Sequence, residues 1–145
     1  MKNIIKSKKG INIKTILGLV IGLTIMVFIS QSFYKKPTVD KLMMQAASEL
    51  NKSCPFMVDN ETRLDNSISL VSNVFQYNYT LVNREKDKID IPLVKRLSEP
   101  DKINIVKTSP IMKIMRDNKV IVNYHYRDKN GYYLFTISVK PVDYK

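Results

Sequence analysis

The feature that most constrains this chain is a long uncharged stretch near its N-terminus. Residues 15–34 are twenty consecutive positions without a charged side chain, and most of them are apolar. A helix of this length reaches about 30 Å, which matches the hydrocarbon thickness of a bilayer. Because backbone amides inside lipid must be bonded internally, a helix is the favoured conformation. We predict a transmembrane helix or signal-anchor over residues 15–34, behind a basic cytoplasmic leader over residues 1–14.

The distribution of lysines sets the expected orientation of this segment. Few lysines follow the segment closely, whereas five precede it: Lys2, Lys6, Lys8, Lys9 and Lys14. The positive-inside rule then leaves the N-terminus in the cytoplasm of a bacterial cell and exports the rest across the inner membrane. A cleaved signal peptide, cut after Ser32, is the competing interpretation, because Ser30 and Ser32 have the spacing of a processing site. Both interpretations place the remaining residues in the periplasm or another extracytoplasmic space.

Two glycines inside the predicted span bear on the oligomeric state. Gly18 and Gly22 form a GxxxG spacing, which lets two helices approach closely within a membrane. The expected partners are therefore the membrane itself, a second copy through Gly18 and Gly22, and a protein partner of the exported part.

The net charge of +11 does not indicate a nucleic-acid partner once it is divided along the chain. The leader holds five of the twenty-four basic residues, which leaves nineteen against thirteen acidic residues after it. That excess is scattered, without the basic patch or recognisable motif that nucleic-acid binding requires. A solvated surface near anionic lipid accounts for it, and we expect no nucleic-acid partner.

Residues 35–37 read as a short linker, and residues 38–145 as one exported domain. Thr38 is a plausible N-cap, and apolar residues then recur with helical spacing up to residue 50. Alternation with period two begins at residue 56 and predicts two strands, with the turn between them at residues 66–67 or 72–73. Residues 120–127 and 132–140 alternate on either side of Asn130-Gly131, which is a strong hairpin signal.

Residues 91–118 have a helical pattern that is interrupted by three prolines, Pro92, Pro100 and Pro110. Proline is best tolerated in the first turn of a helix, so the pattern predicts short helices that restart near Ser98 and Ser109. The expected fold class is α+β, with about four antiparallel strands, helices on one face and the element order α-β-β-α-β-β.

Residues capable of catalysis are sparse in this sequence. His125 is the only histidine and Cys54 the only cysteine, so neither an internal disulfide nor a histidine cluster can form. The acidic residues between positions 59 and 65 lack the glycine and the terminal glutamate of a calcium loop. We expect no catalytic residue, no metal and no cofactor. The tyrosines at positions 77, 79, 124 and 126 have the spacing of sheet core or cross-strand pairs.

The segment Cys-Pro-x-x-Val-Asp-x-x-Thr-Arg-Leu-Asp over residues 54–65 carries a resemblance. Together with residues 77–83 and the hairpin at residues 124–131, it resembles small uncharacterised bacterial proteins that are exported or membrane-anchored. The resemblance implies export and brings no established activity. It also implies a disulfide through Cys54 in relatives that carry a second cysteine near residues 106–109, a position without cysteine in this chain.

The same segment supplies the candidate site. Its members are Cys54, Asp59, Thr62, Arg63 and Asp65. The structural interpretation is an arginine–carboxylate network that fixes the first hairpin, and the functional one is a recognition patch for a partner. The leading hypothesis for the whole chain is a single-pass anchored protein whose exported domain binds a protein or envelope partner without catalysis. The alternatives are a secreted or periplasmic enzyme that uses Cys54, and an immunity or exclusion factor of a phage or secretion system.

Overall fold

A computed structural model of the protein describes residues 38–145. Several predictions fall outside the described residues: the leader, the transmembrane helix, the linker, the homodimer through Gly18 and Gly22, and the cleavage after Ser32. Among residues 38–145, no helix combines the length and apolarity that a bilayer span needs.

The first helix, α1 (Val39–Asn51), follows the predicted cap and stripe. The Thr38 hydroxyl accepts a hydrogen bond from the Lys41 amide at 3.4 Å, and Met43 and Ala47 are buried. At the other end, the Asn51 side-chain amide makes two hydrogen bonds to the backbone of Ser67: its oxygen accepts from the Ser67 N–H at 2.7 Å, and its nitrogen donates to the Ser67 carbonyl at 2.8 Å. The Asn51 side chain therefore satisfies the backbone N–H and C=O of Ser67, a buried residue of the sheet, as a neighbouring strand would.

Five strands form one sheet in chain order. They are β1 (Phe56–Met57), β2 (Thr62–Leu70), β3 (Val74–Leu81), β4 (Ile121–Asp128) and β5 (Tyr133–Val139). Neighbours are antiparallel except β3 and β4, which are parallel. The α+β class is confirmed, but the prediction of about four antiparallel strands in the order α-β-β-α-β-β is wrong in number and pairing.

Two local events explain the difference in the sheet. The chain reverses between Met57 and Thr62, which separates a two-residue edge strand from β2. The chain then leaves β3, crosses over through a helix and re-enters beside it, a connection that makes the two strands parallel. Of the two turns predicted for the first hairpin, the structure has the one at Ser72 and Asn73, which both adopt positive φ.

The helical region is more continuous than predicted. Helix α2 (Ile91–Thr108) runs through Pro100, so the restart near Ser98 does not occur. Pro100 is exposed, and Val94 and Val106 pack against the core on either side of it, so burial of the two flanking turns outweighs the one lost backbone bond. The restart after Ser109 is confirmed, as a 3₁₀ turn (Pro110–Met112) followed by α3 (Lys113–Asp117).

The two faces of the sheet differ in character. One face packs with the helices in a single apolar cluster, in which the predicted tyrosine pairs stack: Tyr77 with Tyr124, and Tyr79 with Tyr126, have ring centroids 5.5 and 5.2 Å apart. The alternating residues of the same strands form a polar opposite face: Asn66, Gln76, Asn78, Asn123, His125, Thr136 and Ser138.

Candidate functional site

A groove of about 690 Å³ lies between the β1–β2 turn and the first half of α2. We refer to it as the α2 groove. Its lining is mixed: seven residues are aliphatic or aromatic, among them Leu81, Val94, Tyr126 and Phe135, and nine are polar or charged. A concave surface that combines apolar side chains with well-placed polar groups is a candidate binding site.

Two leucines on α2 line this groove and remain exposed. Leu93 and Leu97 are 38% and 65% exposed. Residues four apart lie on one face of a helix, so both side chains border the same opening. The helix is set in this position by Asp90, whose carboxylate accepts a hydrogen bond from the Leu93 amide at 3.0 Å and caps the first turn.

Most of the charged groups around the α2 groove already have partners. Arg84 makes a bidentate ion pair with Glu61, with N–O distances of 2.7 and 3.1 Å to one carboxylate oxygen and 2.9 Å to the other. The Asp59 carboxylate accepts from the backbone amides of Glu61 and Thr62, each at 2.8 Å. Burial raises the pKa of Asp59, but these hydrogen bonds outweigh it, so the net shift is downward.

Lys88 lines the groove as well, and its ammonium pairs with Glu85 at 2.7 Å. Lys129 contacts the same carboxylate at 2.5 Å. The hydrogen bonds from Lys129 and Lys88 lower the pKa of Glu85 to about 2.

Lys102 is different from these cations. It is half-buried in the groove wall, and its Nζ lies 5.4 Å from the centre of the Tyr124 ring. Within the described part of the chain, no carboxylate lies within ion-pair distance of its ammonium. Burial lowers the pKa of Lys102, and the charges of Asp101 and Asp59 oppose that shift only in part.

The structure divides the five predicted site residues between separate places. Asp59 and Thr62 line the α2 groove. Arg63 and Asp65 instead form an ion pair at 2.6 Å, and the Thr80 hydroxyl donates to the other Asp65 oxygen at 2.5 Å. Thr80 alternates with core residues of β3, so this network lies on the polar face. Arg63 and Asp65 thus form an ion pair that Thr80 links to β3, and Asp59 and Thr62 are not part of it.

The fifth predicted residue, Cys54, is half-buried against the core cluster. Burial raises the pKa of its thiol, and the negative charge of Asp65 raises it further. His125 lies on the polar face, where Nδ1 is 3.1 Å from the Thr136 hydroxyl oxygen and the ring stacks on Tyr133. Burial, with the nearby charge of Arg127, lowers the pKa of His125. The structure does not pair the two residues.

The residues on the helix side of the groove, which are Leu93, Leu97 and Lys102, were not predicted from the sequence. The signal was present, because Leu93, Leu97 and Asp101 recur every four positions along one helix face. Breaking the helix near Ser98 in the prediction separated the two leucines from Asp101 and Lys102.

The chain belongs to the family described as a domain of unknown function, DUF8479, whose sequence profile matches residues 38–135. No curated protein matches the sequence.

Two solved structures share the fold. The first is a protein from Pseudomonas aeruginosa inferred to be secreted, with a TM-score of 0.63 and 10% identity over 74% of this chain and 93% of that one. The second is the pilotin EpsS of the Vibrio vulnificus type 2 secretion system, with a TM-score of 0.58 and 9% identity over 74% of this chain and 92% of the pilotin. At these identities the likeness shows the fold.

Proposed function

We propose that this protein is a membrane-anchored, non-catalytic envelope protein whose exported domain holds an apolar segment of a protein partner in the α2 groove. The observation that carries the proposal is the exposure of Leu93 and Leu97 beside an aromatic floor. Full burial of a leucine side chain is worth about 1.5–3 kcal/mol, so a partner that covers both residues gains a substantial part of its binding energy there.

The groove offers a partner segment both apolar and polar contacts. Apolar side chains of the partner would contact Leu93, Val94 and Leu97, while the paired Arg84 and Glu61 form a polar rim. An apolar centre within a polar rim is the usual arrangement of a protein–protein interface. Recognition of an apolar segment by a hydrophobic groove is a recurrent mode of peptide binding.

The structural likenesses support an envelope role for such a domain. One similar structure is a pilotin of a type 2 secretion system, and the other belongs to a protein inferred to be secreted. A partner in secretion or in envelope assembly is therefore the class that we propose.

The environment of Cys54 supports a binding role over the enzymatic alternative. A nucleophilic cysteine needs a lowered pKa, and that of Cys54 is raised by burial and by Asp65. His125 alternates with Tyr124 and Tyr126, which face the core, so the imidazole lies on the opposite side of the sheet from the groove. Neither side chain supplies a base or a nucleophile to the groove.

Site-specific photocrosslinking in living cells tests the proposal. A photoreactive phenylalanine analogue replaces Leu97 in the full-length protein, and the matched control carries it at Ile111, which is 80% exposed and outside the groove. We expect position 97 to crosslink to one protein through one apolar segment, and Leu93→Asp to abolish the adduct. Position 111 should not give this adduct. The proposal is wrong if position 97 gives no adduct, or the same products as position 111.

A further inference from the structure

We propose that Lys102 selects the partner by binding a carboxylate carried by the apolar segment that occupies the α2 groove. This inference rests on the proposed function and specifies the chemistry of its ligand. It predicts an acidic residue, or a free C-terminal carboxylate, at a fixed distance from the apolar side chain that contacts Leu97.

The first support is the state of the other charged groups in the groove. Arg84 and Lys88 are neutralised by Glu61 and Glu85. The carboxylates of Asp59 and Asp90 accept hydrogen bonds from backbone amides. Two charged groups of the lining remain without such a partner among residues 38–145, and they are Asp101 and Lys102.

These two groups differ in how much water reaches them. Asp101 is exposed, so water solvates its carboxylate, whereas Lys102 is half-buried. A partly desolvated ammonium is costly unless an anion or a set of acceptors compensates it. The Tyr124 ring offers a cation–π contact at 5.4 Å, which is near the outer limit of such contacts and compensates only part of the lost hydration.

The lowered pKa of Lys102 agrees with this description, because it reports an ammonium that lacks sufficient compensation. A partner carboxylate in the groove would restore the stability of the charged form. Since the groove excludes part of the water, the resulting charge-assisted hydrogen bond would be stronger than an exposed ion pair.

The helix fixes the spacing of the two recognition points. Lys102 follows Leu97 by five residues, which corresponds to about 7.5 Å along the axis of α2 and about 140° around it, so 7.5 Å is the smallest separation of the two recognition points. A helical segment running along the groove would then carry its carboxylate about five or more positions from the apolar residue that contacts Leu97. An extended segment, with a rise of about 3.3 Å per residue, would carry it about two or more positions away.

The test is a selection of displayed random peptides on the immobilised full-length protein and its variants. Wild type should enrich peptides with an apolar residue and an Asp, Glu or C-terminal carboxylate at one of these spacings. Lys102→Glu should enrich Lys or Arg there, and Lys102→Met should remove the charge preference. Lys107→Met and Lys107→Glu, at an exposed position of the same helix outside the groove, should select the same peptides as wild type.

The best wild-type peptide is then synthesised and its affinity measured. Lys102→Met should weaken it by about tenfold or more, the usual cost of losing a hydrogen bond to a charged group. Circular dichroism checks that the variants fold. If Lys102→Glu does not fold, Lys102→Met decides the outcome, because it keeps most of the apolar stem.

Two outcomes overturn different statements. In the first outcome, the selected peptides lose binding to Leu97→Gln but show no acidic preference. This result overturns the role of Lys102 and leaves the groove as the binding site. A selection that yields no peptide, or only peptides indifferent to Leu97→Gln, overturns the proposed function and this inference with it.

Discussion

Among single residues, Asp128 connects three parts of the chain through one carboxylate. Its side chain is 1% exposed and accepts hydrogen bonds from the backbone amides of Lys86, Asn130 and Tyr132, at 3.0, 2.8 and 2.9 Å. The β4–β5 turn and the connection before α2 are therefore held by the same group. Burial raises the pKa of Asp128, but the three amide donors outweigh it and the net shift is downward.

This arrangement predicts an acid-sensitive contribution to stability. Because the folded pKa lies below the unfolded one, ionised Asp128 stabilises the fold above about pH 4, and the contribution is lost as pH falls through the folded pKa. Asp128→Asn should lower the free energy of unfolding at neutral pH, and its difference from wild type should shrink below about pH 4. Urea unfolding across this range measures it, with Asp87→Asn as the control for loss of one exposed charge. A difference independent of pH would contradict the account.

Cys54 allows a second test on a single residue, and it bears on the enzymatic alternative. Because burial and Asp65 raise its pKa, alkylation of the native protein should be slow at neutral pH, with a midpoint above that of an ordinary cysteine. Asp65→Asn should lower the midpoint and speed the reaction, whereas Thr80→Val, which keeps the Asp65 charge, should leave the midpoint raised. Rapid alkylation of wild type near pH 7 would favour thiol chemistry instead.

At the scale of elements, helix α2 gives a prediction about stability and binding, because Leu97 is exposed and Val106 is buried on the same helix. Leu97→Gln should change the free energy of unfolding by less than about 0.5 kcal/mol, because the side chain is 65% exposed and glutamine is a good helix former. Val106→Ala should cost about 2 kcal/mol, because Val106 is fully buried. Binding of the partner segment should show the reverse order, with loss in Leu97→Gln and retention in Val106→Ala. Equal effects of both variants on binding would contradict a groove site at Leu97.

The elements also show what could be predicted from the sequence. Helix α1 and the β4–β5 hairpin follow local signals, the Thr38 cap and the Asn130-Gly131 turn, and both were predicted correctly. The parallel pairing of β3 with β4 could not be predicted in this way, because it joins residues nearly fifty positions apart and depends on a crossover. Pro100 misled the prediction of α2, because tertiary burial on both sides of it outweighs its local preference.

The candidate site was predicted in part for the same reason. An arginine–carboxylate network within residues 59–65 was one interpretation of the sequence. The structure pairs Arg63 with Asp65 and adds Thr80 from the next strand, while Asp59 lies in the groove. The α2 groove combines Asp59 on the β1–β2 turn with Lys102 on α2 and Tyr126 on β4. Such a site exists only once the sheet order is known, so the residues on the helix side were missed.

Considered as a whole, the domain over residues 38–145 has a polar sheet face and a groove along α2, and we propose that the partner binds in the groove. The most direct measurement is methyl NMR of the full-length protein, labelled at isoleucine, leucine and valine and titrated with the crosslinked partner segment made as a peptide. The account predicts shifts at the groove methyls of Leu81, Leu93, Val94 and Leu97. Shifts confined to Ile68 and Ile121, on the opposite face of the sheet, or no shifts at saturation, would contradict it.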